Sequence, residues 1–230
     1  MSLPRVMIVT GTDTEVGKTV VTAALAATLA RQRTVAMLKP AQTGVGPHDA
    51  GDADEVRRLS GVDSVHEGAR LRDPLAPTTA ARREGMALPS VLEHAQKVHT
   101  LAASHDVVLV EGSGGLLVGL DGHGAGLPEL AAELELPCGF VVVARAGLGT
   151  LNHSGLTLEA LRRRGHLVLG LVVGSVPQTR GLAEQTNLES LEAVTGAPLI
   201  GCVPAGAGSL PADEFRSAAP SWFGPPITTA

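Results

Sequence analysis

The sequence is poor in aromatic side chains, which make up 2% of its 230 residues and include no tyrosine. Proteins that bind single-stranded nucleic acid by stacking need aromatic platforms, so this composition argues against that class. An excess of basic residues is also missing, because the formal net charge is -5. Since a phosphate backbone calls for a basic surface, we expect no nucleic-acid partner.

Cysteines and long apolar runs are scarce as well. Cys138 and Cys202 lie in separate apolar segments without the spacing of a metal cluster, so we expect buried free thiols, which suit a reducing compartment. The apolar stretch 19–30 follows Asp13, Glu15 and a glycine loop rather than the basic start of a signal peptide. No apolar run approaches the length of a membrane span. These patterns predict a cytoplasmic protein with no membrane partner.

Short β-branched runs alternate with longer amphipathic or alanine-rich runs. Strands that are apolar throughout and separated by helices indicate a parallel sheet covered on both faces, so we expect a doubly wound, mostly parallel α/β domain. The expected strands are 6–10, 35–39, 106–111, 139–144, 168–173 and 199–203, and the expected helices are 18–32, 52–59, 90–104, 128–135, 151–163 and 183–194. Residues 1–230 are predicted to form one domain, with an irregular tail at 209–230.

Residues 11–19, Gly-Thr-Asp-Thr-Glu-Val-Gly-Lys-Thr, follow the first predicted strand and open the first predicted helix. Strand, glycine loop, Lys-Thr and helix in this order distinguish a phosphate-binding loop from a chance match. Lys18 is expected to reach the β- and γ-phosphates, and the Thr19 hydroxyl to hold Mg²⁺. Thr12 stands where the usual first glycine is expected, so the loop is a variant. The sequence therefore predicts a domain of the P-loop NTPase type.

Charged residues at two other strand ends are candidates for the same site. Glu111 ends the third predicted strand, where an acid can hold Mg²⁺ opposite Thr19. Lys39 ends the second, and two lysines with Mg²⁺ can neutralise charge on a transferring phosphoryl group. A surface lysine before a proline turn fits the Lys39 pattern equally well. Thr43 can donate a hydroxyl to a substrate or stabilise its own loop, and Asp52 alone is better explained as a helix-capping residue.

Several segments together resemble dethiobiotin synthetase. They are residues 11–19, Lys-Pro-x-x-Thr-Gly at 39–44, Asp52, Val-Glu-Gly-Ser-Gly-Gly at 110–115 and Leu-Gly-Thr-Leu-Asn-His at 148–153, in family order and spacing. The resemblance implies an ATP-dependent cyclo-ligase of biotin synthesis that acts as a homodimer. In this family 7,8-diaminopelargonic acid and CO₂ form a carbamate, ATP phosphorylates it, and the neighbouring amine closes a cyclic urea with loss of phosphate.

The resemblance also implies roles for individual residues. Lys39 resembles the active-site lysine and Lys18 the P-loop lysine, and the implied magnesium ligands are Thr19, Asp52 and Glu111. The implied substrate-binding residues are Thr43, Pro77, Thr78, Leu151 and Asn152, the last two reaching the substrate from the partner subunit. The implied nucleotide-binding residues are Thr14, Glu15, Val16, Gly17, Lys18, Thr19, Val20, Asp52, Glu111, Gly112, Ser113, Gly114, Gly174, Ser175, Pro204, Ala205 and Gly206.

One position departs from the family pattern. Many members carry an asparagine just after the fifth predicted strand, where it reads the adenine edge, but here Gly174 stands there, followed by Ser175. A site built to hydrogen-bond one base rejects others strongly only when those groups are present. We therefore expect ATP as co-substrate, with other nucleoside triphosphates also accepted.

Three other classes of protein are compatible with a phosphate-binding loop. Partition-type ATPases commonly place a lysine where Thr12 stands, and its absence, together with Lys39, argues against them. Amidoligases of corrin biosynthesis share the expected fold but normally carry a glutaminase domain, which we do not expect in this chain. A binding module with a vestigial loop is disfavoured because Lys18, Thr19 and Glu111 are intact.

Overall fold

The structure is a computed structural model and describes residues 3–225 and 227. Its centre is a sheet of seven parallel strands in the order β3-β2-β4-β1-β5-β6-β7. The strands are β1 Val6–Gly11, β2 Val35–Gln42, β3 Val65–Arg70, β4 Val107–Gly115, β5 Cys138–Ala144, β6 Val168–Val176 and β7 Leu199–Pro204. This order makes β2, β4 and β1 direct neighbours, so their carboxyl ends meet at one edge of the sheet.

Helices cover both faces of the sheet. They are α1 Lys18–Leu29, α2 Asp52–Ser60, α3 Pro77–Glu84, α4 Val91–Ala102, α5 Leu127–Ala132, α6 Thr150–Arg163, α7 Leu182–Thr195 and α8 Ala212–Ala218. Helices α1, α2 and α8 share one buried apolar cluster with the sheet, and α4 to α7 share the other. The predicted doubly wound, parallel α/β fold is confirmed. Within the described residues, none of the helices combines the length and the apolarity needed to cross a bilayer.

Two elements in the middle of the chain, β3 and α3, were not expected from the sequence. Strand β3 lies at the edge of the sheet and pairs with β2 alone, and its polar, glycine-containing sequence lacks the apolar run of an interior strand. Helix α3 begins at Pro77 and is followed by Gly85, whose φ is 66°. Proline at the start and a left-handed glycine after the end are common signals of a helix start and stop. The sheet therefore has seven strands, where the sequence pattern predicted six.

The segment after Ser209 was expected to be irregular, and this is wrong for much of it. It contains α8 and a 3₁₀ turn at Ala219–Trp222. Phe215 is fully buried, and its ring meets Trp222 edge-on with centroids 5.1 Å apart. The composition hides this order, because the buried residues Phe215, Ala219, Phe223 and Ile227 are few among many Pro, Ala and Ser residues. Residues 226 and 228–230 lie outside the described part of the chain.

Both cysteines are free, as expected, but neither is fully buried. Cys138 begins β5 and Cys202 lies in the edge strand β7. Partial burial raises the pKa of both thiols, so these side chains are poor nucleophiles at neutral pH.

Candidate active site

Strand register places a lysine beside a glutamate at the carboxyl edge of the sheet. Leu38 of β2 pairs with Val110 of β4, so Lys39 and Glu111 are the next residues along two adjacent strands. Alternation of side chains along a strand turns both toward the face covered by α1. Lys39 Nζ lies 2.8 Å from Glu111 Oε1, and their side chains are 3% and 0% exposed. The two predicted site residues therefore form a buried ion pair.

Other polar groups complete this cluster. Lys39 Nζ also lies 2.5 Å from Asp52 Oδ2 and donates a hydrogen bond to the Gly112 carbonyl at 3.2 Å. The Thr19 hydroxyl, in the first turn of α1, donates to Glu111 Oε1 at 2.9 Å. Burial alone would lower the pKa of Lys39, but the carboxylates of Glu111 and Asp52 outweigh it, and the pKa is raised above its ordinary value. Lys39 is therefore a protonated cation between two carboxylates.

The phosphate-binding loop has the backbone that its glycines allow. Gly17, just before α1, has a φ of 93°, and a Cβ there would lie 2.6 Å from the Gly174 carbonyl oxygen. At Gly11 a Cβ would lie 2.7 Å from the Asp13 carbonyl oxygen. The backbone contact that leaves no room for a side chain is therefore at position 11, not at position 12. Thr12 instead donates its backbone N–H to the Val143 carbonyl at 2.9 Å. This accounts for the variant spacing of the loop.

The P-loop lysine folds across its own loop. Lys18 Nζ donates to the Asp13 carbonyl at 2.9 Å, and the Asp13 carboxylate is held by Arg145 at 2.8 Å. Burial and then the positive charge of Lys39 lower the pKa of Lys18, against the opposing carboxylates nearby. Two lysines thus face one small region, where an anionic ligand would relieve their repulsion.

A cavity of about 810 Å³ opens in front of these residues. The predicted site residues that line it are Thr14, Glu15, Gly17, Lys18, Thr19, Val20, Lys39, Thr43, Asp52, Pro77, Ser113 and Gly114. Residues that line it without having been predicted are Gln42, Pro74, Leu75, Ala76 and Val118. Gln42 stands inside the Lys-Pro-x-x-Thr-Gly segment and could have been noticed there. The 74–76 loop carries no local signal, because only the fold brings it to the cavity.

The other predicted residues lie around or away from this cavity. Val16, Glu111 and Gly112 are buried behind it. Gly174 is buried at the end of β6, where a Cβ would lie 2.1 Å from the Val16 carbonyl oxygen. The exposed residues Ser175, Pro204, Ala205 and Gly206 lie at the ends of β6 and β7. Thr78 lines a separate, smaller pocket, and Leu151 and Asn152 lie on α6, outside the lining of both.

The oxygen atoms near Lys39 fit a magnesium ion. Thr19, Asp52 and Glu111 offer one hydroxyl and two carboxylates, which are ligands that Mg²⁺ prefers. Glu111 Oε2 is buried and has no hydrogen-bond partner in the described part of the chain. Across the same residues, no three His, Cys, Asp or Glu side chains form a metal-binding group. A site of this composition suits a metal ion whose remaining ligands are water and phosphate oxygens.

The fold and this site define a P-loop nucleotide-binding protein of the doubly wound α/β class. The model of an AAA domain family matches residues 5–209. Over 96% of its length, the chain is 56% identical to the ATP-dependent dethiobiotin synthetase BioD of Streptomyces coelicolor, 93% of which is covered. It is 54% identical to the enzyme of the same name from Rhodococcus jostii, over 95% of this chain and 94% of that protein. The chain belongs to the ATP-dependent dethiobiotin synthetase family, as its motifs predicted.

Solved structures with the same fold come from other functional classes. The septum site-determining protein MinD of Pyrococcus horikoshii, complexed with Mg-ADP, matches with a TM-score of 0.59 at 17% identity, over 94% of this chain and 95% of that one. A ParA family ATPase from Chlorobium tepidum matches with a TM-score of 0.57 at 14% identity, over 93% and 90%. At such identities the likeness shows the fold alone, so the family assignment rests on the sequence relatives.

Replacing Lys39 by alanine should destabilise the free protein strongly. The change leaves the buried Glu111 carboxylate without its paired cation, which typically costs about 3–5 kcal/mol of unfolding free energy. The double variant Lys39→Ala/Glu111→Gln buries no unpaired charge and should recover part of that loss. As a control, Arg57→Ala breaks an exposed pair with Asp54 and should cost less than about 1 kcal/mol. Urea unfolding measures all three, and a double variant no more stable than Lys39→Ala would contradict the ion-pair interpretation.

Proposed function

We propose that this chain catalyses the ATP-dependent conversion of 7,8-diaminopelargonic acid and CO₂ into dethiobiotin, ADP and phosphate. Membership of the dethiobiotin synthetase family supports this function. One observation carries it in the structure: the phosphate-binding loop, Lys39 and Thr43 line a single cavity with the apolar segment 74–77. Such a cavity suits a substrate that has reactive polar groups on a hydrocarbon chain.

The charges at the site match the needs of this reaction. An amine of the substrate joins CO₂ to form a carbamate, whose oxygen attacks the γ-phosphorus of ATP, and the bond to the departing ADP breaks. Both reactants are anionic, so the cations of Lys18 and Lys39 offset their repulsion and stabilise the developing charge. The neighbouring amine then attacks the carbamate carbon, and phosphate leaves as the urea ring closes. The carbamate is itself the nucleophile, so the first transfer needs no strong base.

The remaining predicted residues are assigned to the metal ion, the nucleotide and the diamine. Thr19, Asp52 and Glu111 are the proposed ligands of Mg²⁺, which when bound would neutralise charge on the phosphates. Thr14, Glu15, Val16, Gly17, Val20, Gly112, Ser113 and Gly114 are proposed to surround the phosphates, and Gly174, Ser175, Pro204, Ala205 and Gly206 to surround the base. Thr43, Pro77 and Thr78 are proposed to contact the diamine within the same chain.

The function is tested by ADP release from the purified protein. We expect release to rise when diaminopelargonic acid and bicarbonate are added together, and to stay low when either is missing. Lys39→Ala should lower this turnover by about 100-fold or more, because it removes a cation from the transferring phosphoryl group. Lys97→Ala changes an exposed lysine on α4 and should leave turnover unchanged. Absence of any stimulation by the diamine would overturn the proposed function.

Relaxed nucleotide choice is the second part of the proposal. Position 174 has no side chain to read a base, and the close contact of its backbone with Val16 leaves no room for one. We expect the kcat/KM values for ATP, CTP and GTP to agree within about tenfold, since base hydrogen bonds are what give larger ratios. Lys97→Ala, which changes an exposed side chain on α4, serves as the control and should leave the ratios unchanged. A preference for ATP of about a hundredfold or more, in the direction of the roughly 10⁴- to 10⁵-fold ratios of hydrogen-bonding sites, would reject this part.

A homodimer with the substrate site at the subunit interface is the third part. Leu148 and Leu156 are 81% and 59% exposed, and Asn152 lies between them, four residues from each. Asn152 and Leu156 lie four residues apart on α6, so their side chains share one face of the helix. Leu148 lies just before this helix, and exposed apolar patches mark interaction sites. Because Leu151 and Asn152 lie outside the cavity of their own chain, they support a role in the site of a partner subunit.

Mixed dimers test the shared site. Lys18→Ala and Asn152→Ala should each have low activity as homodimers. Equal co-expression makes about half of the dimers mixed, each with one site that combines an intact P-loop with Asn152 of the partner subunit, so about a quarter of normal activity should return. Lys18→Ala co-expressed with Thr19→Ala places both defects in the P-loop and should restore nothing. No recovery in mixed dimers whose formation is verified would contradict the shared site.

We also propose a cytoplasmic location. The two free thiols, Cys138 and Cys202, support it because a reducing compartment keeps cysteines unpaired. The proposed partners are the small-molecule substrates and a second copy of the chain, and the net charge of -5 argues against nucleic acid.

A further inference from the structure

Gln42, the last residue of β2, connects two parts of the candidate site. Its side chain lines the cavity although the residue is only 6% exposed. Its amide oxygen accepts a hydrogen bond from the Asp52 N–H at 2.8 Å. Its amide nitrogen donates to the Thr43 carbonyl at 3.1 Å. One buried amide thus contacts the backbone of a proposed magnesium ligand and of a proposed substrate-binding residue.

The start of helix α2 explains why this contact is needed. The first N–H groups of a helix lack partners within the helix, and a side chain at the N-cap position usually accepts from one of them. Here the N-cap residue is Gly51, which has no side chain. A Cβ at Gly51 would lie 3.0 Å from Glu67 Oε2 and 3.1 Å from both Arg70 Nη2 and Gln42 Oε1. Gln42 therefore supplies, from the end of β2, an acceptor for the N–H of Asp52, the first residue of the helix.

The Asp52 carboxylate is held by a second side chain of the same strand, Lys39. Asp52 is the first residue of α2, and its Oδ2 lies 2.5 Å from Lys39 Nζ, while its side chain remains one third exposed. Lys39 itself lies on β2, three residues before Gln42. The backbone of Asp52 and its carboxylate are thus both held by side chains of one strand, which places this acid at the edge where Glu111 and Thr19 lie.

We propose that Gln42 is a positioning residue that holds Asp52 in place for the metal–nucleotide complex and Thr43 in place for the diamine. This inference rests on the proposed role of Asp52 as a magnesium ligand. Gln42 acts through its two hydrogen bonds, and each of them governs a different binding step. The loss of the acceptor is expected to weaken metal binding, whereas the loss of the donor is expected to weaken substrate binding.

Two substitutions separate these effects. Gln42→Met keeps the length of the side chain and removes both hydrogen bonds, whereas Gln42→Glu keeps an acceptor for Asp52 and loses the donor to Thr43. With an ATP analogue that is not hydrolysed, Mn²⁺ binding measured by electron paramagnetic resonance should weaken about threefold to tenfold in Gln42→Met. It should change less than about twofold in Gln42→Glu, while both variants raise the KM for the diamine several-fold. Unchanged Mn²⁺ binding in a folded Gln42→Met protein would overturn the proposal.

A double-mutant cycle shows whether Gln42 acts through Asp52. In an Asp52→Ala background, Gln42→Met should weaken Mn²⁺ binding less than about twofold further, because its target is gone. A full, additive effect would overturn the positioning role.

If Asp52→Ala alone leaves Mn²⁺ binding unchanged, the proposed metal ligand itself is rejected, and this inference with it. If Gln42→Met does not fold, Gln42→Glu decides: an unchanged diamine KM, or Mn²⁺ binding as weak as in Asp52→Ala, overturns the proposal.

Discussion

The buried ion pair between Lys39 and Glu111 is the interaction on which the rest of the site depends. Burial of either charge alone is costly, so each needs the other within hydrogen-bond distance. Their contact exists only because β2 and β4 are adjacent and in a register that aligns the last residues of both apolar runs. The insertion of β4 between β2 and β1 then brings Glu111 to Thr19 at the start of α1. The strand order and register of the sheet therefore determine which charges pair at the site.

A second constraint is the close approach of two backbones. The P-loop packs against the end of β6 with no side chain between them, since neither Gly17 nor Gly174 has room for a Cβ. This contact leaves no room for a side chain at position 174, and the proposed relaxed choice of nucleotide rests on this. The packing of the phosphate-binding loop and the proposed choice of nucleotide thus both depend on Gly174.

The loop that leads to Asp52 is held from the edge of the sheet. Arg70 of β3 donates to the carbonyls of Gly46 and Asp49 at 3.0 and 2.7 Å, and forms a two-bond pair with Glu67. The guanidinium group provides several donors in a fixed plane, which suits it to bind a folded loop. Edge strand β3 thus extends the sheet and also fixes the segment in front of α2. Together with Gln42 it forms the support behind the acidic side of the site.

The sequence by itself determined the phosphate-binding loop, the alternation of strands and helices, and the strand-end residues Lys39 and Glu111, because each depends on residues close together along the chain. Only the tertiary structure decided which strands are neighbours and that Lys39 pairs with both Glu111 and Asp52. It alone also showed that Gln42 accepts a hydrogen bond from the Asp52 N–H and that residues 74–76 line the cavity. Strand β3 and helix α8 also emerged only there. Their hydrogen bonds and buried contacts join residues far apart in the chain, and strand order, which no local pattern encodes, sets those distances.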